Sequence, residues 1–493
     1  MKRIVFVAAM AVFGLACGQA GVSAQAPAAP IPDPPAFATS GDAEFDSWRD
    51  DFAARALKAG HSLDTVRTLL TGLAPDPHII ELDQRQPEFV APVWDYVSNR
   101  VTDSRIANGV ALKASLASVL PAIQQRYGVD PDIVLGIWGL ESNYGQATLS
   151  YSAPEALATL AYEGRRQAQF ENFLMSLMQM VDSGLATPDE LKSSWAGAMG
   201  QPQFMPDVYL STAVDWDGDG KRDIWNDNAD IAASISHYLQ DRGWQAGQPV
   251  FDEVTLPANF DFALADGSTR SVADWVARGV KRVDGADWSA SDLTLQSQLF
   301  LPAGAQGPAL LLHPNFAVIR RYNNSDRYAL VVALLARGIE GKPGLVHPWP
   351  TQIGALNRDQ TLELQILLNS LGYGAGATDG LFGSGTRRAV RAFQTDGHLP
   401  ADGFPTLTLL DAVRSRAGIT PEPPAPPPTA LSRAGVRDLQ RRLIHLGYHI
   451  RRADGRIGPD TRAAIRAFEQ RHGMEARGRA TTDVLDAANA ARR

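Results

Sequence analysis

Beyond Pro348 the chain repeats itself. Leu364-Gln365, Leu371-Gly372-Tyr373, Asp379-Gly380, Gly383, Thr386-Arg387 and Ala392-Phe393 recur as Leu439-Gln440, Leu446-Gly447-Tyr448, Asp454-Gly455, Gly458, Thr461-Arg462 and Ala467-Phe468. Every pair is 75 positions apart, as 440 is from 365. Six spaced matches in one register mean two copies of one module, so the chain divides into a long leading region and two small folds of the same kind. Each copy carries three short helical patterns and Gly-rich turns. A core built from about 60 residues is small and marginal by itself. The copies are read as 356–415 and 431–490. The link between them, 416–430, contains Pro-Glu-Pro-Pro-Ala-Pro-Pro-Pro and reads as a semi-rigid polyproline spacer.

Within the leading region a single segment stands out: the apolar run Pro131 to Leu140 (PDIVLGIWGL), which ends on Glu141 and breaks into Ser142-Asn143-Tyr144-Gly145. Asp130 reads as an N-cap, Pro131 as the first helical residue, and Asn143 and Gly145 as stop signals, which puts Glu141 in the last turn of a helix. Isoleucine, valine, leucine and tryptophan occupy every side, so the helix is expected to be buried all round. Apolar surroundings and the negative end of the helix dipole both disfavour the ionised carboxylate, and a raised pKa is expected. That is the environment of a general acid. A lone buried glutamate more often pairs with an arginine or closes a loop, so the rest of the chain has to decide.

About sixty residues later comes Ser194-Trp195-Ala196-Gly197-Ala198-Met199-Gly200-Gln201-Pro202-Gln203-Phe204-Met205-Pro206, a small-residue run whose backbone can approach a ligand closely. Alone it would read as a tight loop between helices. Together the two segments resemble the lytic murein transglycosylases, in particular the membrane-bound type B branch with its lysozyme-like fold. The resemblance extends from Ala43 to His347. It is carried by Gly136-Ile137-Trp138-Gly139-Leu140-Glu141, by Gly197-Ala198-Met199-Gly200 with Gln203-Phe204-Met205-Pro206, and by Arg321-Tyr322-Asn323 with Tyr328. The two repeated copies likewise resemble the peptidoglycan-binding domain of cell-wall hydrolases, the alternative being a structural repeat or a protein-interaction module.

The expected fold is mainly α, with a lysozyme-like catalytic domain over 41–347. Apolar residues recur at helical spacing from Gly41 to Leu120, through Glu155 to Met180 and through Ala229 to Gln240. Between Pro249 and Leu301, β-branched and turn residues rise, which predicts a small strand-bearing insertion. The resemblance implies that Glu141 is the only catalytic acid/base. Gln203 would hold the sugar near the cleavage point, with Phe204 beside it, and Ser194 would support the acetamido group or Glu141. Tyr96, Tyr238, Tyr322 and Tyr328, with Asn323, match positions lining the glycan groove. Tyrosine suits that work because it stacks on sugar faces and donates one hydrogen bond.

Most glycosidases need two carboxylates, and no second one is placed by sequence near Glu141. A single acid fits the intramolecular reaction that the resemblance implies. Glu141 protonates the bond between N-acetylmuramic acid and N-acetylglucosamine, then takes the proton of the muramoyl C6 hydroxyl as a 1,6-anhydro ring closes. The rivals are a muramidase that uses water and a non-catalytic wall-binding scaffold. No cofactor is expected for catalysis.

Asp215-Trp216-Asp217-Gly218-Asp219-Gly220-Lys221-Arg222-Asp223 places carboxylates at alternate positions with glycine sixth, as an EF-hand loop does. The twelfth position is Asn226 instead of a bidentate glutamate, so Asp230 is the candidate closing ligand, with Lys221 contributing its backbone carbonyl. A structural calcium ion is one reading. An Asx-rich turn capping the helix that begins near Asp230 is the other.

With 493 residues, 45% hydrophobic and 20% charged, the chain has the make-up of an ordinary water-soluble protein with ample core. Its net charge of −8 disfavours nucleic acid as a partner. The second copy alone is markedly basic, through Arg437, Arg441, Arg442, Arg451, Arg452, Arg456, Arg462, Arg466 and Arg471. Such charges form a solvated face or attract the carboxylates of stem peptides and anionic wall polymers.

Met1-Lys2-Arg3, the apolar segment Ile4 to Leu15 and the small residues that follow have the layout of a secretory signal, too short to span a bilayer stably. Cleavage after Val22-Ser23-Ala24 gives a signal peptide of 1–24, an Ala/Pro-rich tether of 25–40 and a soluble periplasmic protein of a Gram-negative cell. Gly14-Leu15-Ala16-Cys17 resembles a lipobox instead, which would acylate Cys17 and place the protein on the outer membrane. Cys17 is the only cysteine, so the mature chain holds no internal disulfide. The expected partner is the peptidoglycan glycan strand, with other cell-wall enzymes left open.

Overall fold

The computed structural model describes residues 31–84, 92–354, 356–419, 429–472, 474 and 476–491. The amino-terminal apolar segment, Cys17 and most of the Pro-rich link lie outside them. The chain forms two compact units, Met1–Ala417 and Gly418–Arg493. Among the described residues no single helix is long and apolar enough to cross a membrane.

The leading region of the first unit is built around the helix Pro131–Ser142, which is buried from Ile133 through Gly139, with Trp138 and Ile137 fully enclosed. It runs against the helix Asp326–Ile339, whose residues Tyr328 to Ala336 are themselves buried. The two backbones meet at Gly136, where a Cβ would stand 2.7 Å from the Val332 carbonyl oxygen. Any larger residue there would push the helices apart. Helices Asp103–Ser115, Leu120–Tyr127 and Asn228–Asp241 pack against this pair. Helices Ala153–Glu163 and Gln167–Asp182 pack on each other in the same core. The leading helix Ala43–Lys58 starts where Asp42 accepts from the amides of Glu44 and Phe45, and buries Phe45, Phe52, Ala53 and Ala56.

Strands β1 (Tyr151–Ser152) and β2 (Lys192–Ser193) pair as a short ribbon. The strand-bearing insertion is a five-stranded antiparallel sheet of β3 (Phe251–Thr255), β4 (Thr269–Ser271), β5 (Lys281–Arg282), β6 (Gln296–Phe300) and β7 (Ala309–Leu312), in the order β4-β6-β7-β3-β5. It extends past the predicted end at Leu301. Strand β7 is an unbroken apolar run buried at all its positions, so it lacks the alternation by which a half-buried strand is recognised. The sheet shares a separate core with the helix Val272–Ala277, centred on Trp275.

Each repeated copy has the three predicted helices: Arg358–Ser370, Ser384–Asp396 and Leu407–Arg416 in the first, Arg433–His445, Pro459–Arg471 and Thr482–Ala490 in the second. A buried glutamine organises the turn in each. Gln365 Nε2 donates to Asp379 Oδ1, Leu381 O and Thr386 Oγ1, while its Oε1 accepts from the amides of Asp379 and Gly380. Gln440 repeats the pattern on Arg456 O, Thr461 Oγ1 and Gly455 N.

The first copy is docked on the leading region. Ala305 N donates to Asp402 Oδ2 at 2.8 Å and Arg391 Nη2 to Ala265 O at 2.7 Å. Gly304, at φ +70°, lets Phe404 approach to where a Cβ would lie 2.7 Å from it.

Candidate active site

The helix Pro131–Ser142 ends as its sequence predicts. Asp130 sits at the N-cap position with extended backbone and Pro131 follows, though the Asp130 side chain makes no capping bond and accepts instead from Gln124 Nε2 at 3.2 Å. At the other end Asn143 and Tyr144 both adopt left-handed φ, 50° and 58°, and fold the chain back onto the helix. The reversal drives the Tyr144 phenol between Gly139 and Gly109, where its oxygen occupies the space a Cβ would take at either glycine. Among the described residues its buried hydroxyl has no hydrogen-bond partner, and burial pushes it up to about 12.

Glu141 is thereby presented, half-buried, at the end of an enclosed rod. The Tyr328 hydroxyl donates to its Oε1 at 2.5 Å. Tyr328 is 3% exposed, and burial followed by the charge of Glu141 raises it well above an ordinary phenol, so it stays a donor through the neutral range. Tyr322 stacks on Tyr328 with ring centroids 6.4 Å apart and planes at 13°. Burial and Glu141 raise Tyr322 in the same way, and Glu141 is the carboxylate that acts on it.

The small-residue run forms the facing wall. Met199 and Phe204 pair across a tight hairpin, with Met199 N donating to Phe204 O at 2.8 Å and Phe204 N to Met199 O at 3.0 Å. Gln203 sits in the turn in a left-handed conformation, φ 55°, with Nε2 donating to Gly200 O. The hairpin is tied to the catalytic helix by Gln201: Trp138 Nε1 donates to its Oε1 and its Nε2 donates to Trp225 O, each at 2.7 Å. Gln201 and Tyr144 are the positioning residues that the sequence reading missed. The signals available were a second amide between Gly200 and Pro202, and glycines at helical positions 109 and 139.

Several of the residues expected to meet substrate are buried or already bonded within the protein. Phe204 is 2% exposed and packs against the rings of Tyr238 and Tyr322, at 5.9 and 6.0 Å, so its ring supports the tyrosine cluster from within the core. Tyr238 is also buried, and its hydroxyl is spent on Arg321 O at 2.6 Å. The Tyr322 hydroxyl donates to Pro202 O at 2.7 Å, joining the tyrosine cluster to the hairpin. The Ser194 hydroxyl accepts from Ala198 N at 3.2 Å and shapes the turn before the hairpin. Tyr96 is buried in the helix Val93–Ser98 with the Arg100 guanidinium 3.7 Å above its ring. Asn323 is exposed beside the cluster.

The acidic loop brings Asp215, Asp217 and Asp219 together, with one oxygen of each within 4.8 Å of the others. Asx turns are present too: Asp215 accepts from Gly218 N and Gly220 N, and Asp219 from Lys221 N. Asp230 does not join the cluster. It is 1% exposed and its two oxygens accept from Trp216 N and Asp223 N, so it clasps both ends of the loop. The helix after the loop begins at Asn228 and is capped by Asp227, not by the Asx turns themselves.

A second constellation invites a catalytic reading and does not support one. Ser297 Oγ lies 2.7 Å from His313 Nδ1, and His313 Nε2 lies 2.8 Å from Asp252 Oδ2. Ser297 is fully buried, so its oxygen cannot reach a substrate, and the three residues tie β3, β6 and the end of β7 together.

An acid at the end of a buried helix, faced by a hairpin and stacked tyrosines, is the arrangement expected of the lysozyme-like family that the sequence resembles. Residues 44–337 match the family described as "Transglycosylase SLT domain", and residues 357–413 and 432–488 each match "Putative peptidoglycan binding domain". The chain belongs to the transglycosylase SLT family. It is 31% identical over 299 residues to "Membrane-bound lytic murein transglycosylase B" of Escherichia coli K12, covering 57% of this chain and 76% of that protein. Among solved structures it is similar to SltB3 from Pseudomonas aeruginosa in complex with NAG-anhNAM-pentapeptide, with 43% identity and a TM-score of 0.73, covering 76% of this chain and all of that one. Escherichia coli Slt35 in complex with calcium is 27% identical with a TM-score of 0.52, covering 61% of this chain and 93% of that one.

Proposed function

We propose that the protein is a lytic transglycosylase that cleaves the β-1,4 bond between N-acetylmuramic acid and N-acetylglucosamine in peptidoglycan and leaves 1,6-anhydromuramoyl ends. The observation that carries this reading is the hydrogen bond from Tyr328 to Glu141 at the end of the buried helix, inside a tyrosine cluster on which Glu141 is the acting carboxylate. Glu141 enters protonated and gives its proton to the glycosidic oxygen. As carboxylate it then accepts the proton of the muramoyl C6 hydroxyl while that oxygen bonds to C1. Two-carboxylate glycosidases place their second acid roughly 5–10 Å from the first. An internal hydroxyl as nucleophile removes the need for it. Tyr328 fixes the orientation of the carboxyl through both steps, and Tyr322 and the Gln203 hairpin shape the sugar site. The relative solved with an anhydromuramoyl fragment supports the same product here.

The test is mass spectrometry of fragments released from purified peptidoglycan. Muropeptides one water lighter than hydrolytic products, absent with Glu141→Gln, are the expected result. Hydrated reducing ends would move the assignment to a muramidase.

Asp215, Asp217 and Asp219 form an all-oxygen donor set of the kind a hard cation takes, to which Lys221 would add its carbonyl. We assign this loop to a structural calcium ion, a reading supported by the calcium complex of Slt35. Calcium should raise the melting temperature of the wild type and leave Asp217→Asn unmoved. Action on peptidoglycan places the protein in the cell envelope. Soluble periplasmic and Cys17-anchored forms are distinguished by the mass of the mature amino terminus.

A further inference from the structure

Where the first repeated copy meets the catalytic region, the two enclose a cavity of about 370 Å³. Its charged lining is one-sided. Among the described residues Arg320, Arg327, Arg358 and Arg387 line it, against one carboxylate, Asp326, which is already engaged by Arg320 at 3.2 Å.

Arg387 is the telling member. Its guanidinium lies over the Phe382 ring at 5.1 Å, and among the described residues it makes no hydrogen bond or ion pair. Burial and the neighbouring Arg391 pull it below an ordinary arginine, and the carboxylates of Asp326 and Asp402 only partly offset them. A partly enclosed, unpaired guanidinium is costly to hold unless something else supplies the anion. Arg358 is little better satisfied, with Nη2 3.4 Å from Asp379 O.

The cavity is a product of docking, not of the module fold. Arg462, the counterpart of Arg387 in the second copy, is exposed. Tyr96, Asp326 and Arg327 also line the cavity, and Arg327 immediately precedes Tyr328, the partner of Glu141, on the helix Asp326–Ile339. The arginine chamber therefore adjoins the proposed glycan groove.

We propose that this chamber is a carboxylate subsite that takes the peptide stem of a muramoyl unit bound in the Glu141 groove, with Arg387 as its principal anchor. This rests on the transglycosylase reading and deepens it. The first copy would then act within the substrate site of the enzyme. Stem peptides fit the chemistry because they carry free carboxylates, are tethered to the sugar next door, and need only a small chamber.

The experiment uses the full chain with two substrates, peptide-bearing glycan strands and the same strands stripped of peptide by an amidase. Arg387→Gln should raise KM for the first about fivefold, the loss expected of one charge-assisted bond, with kcat unchanged. Neither parameter should move on stripped strands, and Arg387→Lys should recover some of the loss. An equal effect on both substrates, or none on either, overturns the proposal.

A binding arm stands apart from turnover. In the Glu141→Gln background, calorimetry should show a peptide-bearing disaccharide binding more tightly than the same compound with its stem carboxylates amidated. Equal affinities would overturn the subsite without any Arg387 variant having to fold. Competition by inorganic phosphate as effective as by the stem itself would also overturn it, leaving a general anion pocket. If the wild type binds as predicted but releases no anhydro product, the failure lies with the transglycosylase reading instead.

Discussion

The two carboxy-terminal copies share a fold and differ in almost everything outside its core. Leu364, Gln365, Thr386 and Phe393 are buried in the first copy as Leu439, Gln440, Thr461 and Phe468 are in the second. Residues 356–417 carry six basic and six acidic side chains, whereas residues 418–493 carry fourteen arginines against eight acids. The docking residues show the divergence most directly. Asp402 and Phe404, which meet the catalytic region in the first copy, stand at positions occupied by Arg477 and Arg479 in the second. Repetition has preserved what the module needs to fold, and the surfaces have been given different work. The first copy belongs to the catalytic unit. The second is a compact unit of its own, basic enough to be drawn to an anionic polymer.

Truncating the equivalent core aromatics tests this division most severely. Phe393→Ala and Phe468→Ala should each cost about 3–5 kcal/mol in urea unfolding of the full chain. The first should also depress turnover of soluble peptide-bearing strands, and the second should reduce co-sedimentation with insoluble peptidoglycan while sparing turnover. Matching losses of turnover would break the comparison. Next come Gln365→Ala and Gln440→Ala, each of which strands buried donors and acceptors. Both should destabilise by about 2–3 kcal/mol, since the fold uses the two amides alike.

Asp402→Arg gives the first copy the charge of the second and removes the acceptor of Ala305 N. A loss of about 1–2 kcal/mol is expected. It should appear as faster proteolysis between the catalytic region and the first copy. The smallest effect belongs to Arg462→Gln combined with Arg466→Gln. Both arginines are exposed, and wall binding should fall roughly threefold at low salt and not at all near 1 M, where exposed charges are screened.

Much of the catalytic helix was legible in the sequence. An apolar run that fills every face has few options but burial, and Asn143 is a residue that tolerates the left-handed turn which stops it. The repeat was legible for the same kind of reason, because buried and turn positions admit few substitutions. What escaped were consequences of distant segments meeting. Nothing local says that Tyr144 will fill the space at Gly109 and Gly139, or that Gln201 will bridge Trp138 and Trp225. Asp230 is a carboxylate at nearly the right spacing for a ligand, and nothing local says that burial will set its two oxygens on the amides of Trp216 and Asp223. The docking of the first copy depends on Gly304 meeting Phe404 and Asp402, a complementarity between surfaces that periodicity does not encode.

The central claim is that one carboxyl group, Glu141, does both proton transfers with the substrate's own hydroxyl as nucleophile. The most direct test is to digest peptidoglycan in oxygen-18 water and weigh the muramoyl ends. The account predicts wild-type products that carry no solvent oxygen at C1, and no products from Glu141→Gln. Oxygen-18 at C1 of the wild-type products would contradict it, because water and not the C6 hydroxyl would then have attacked.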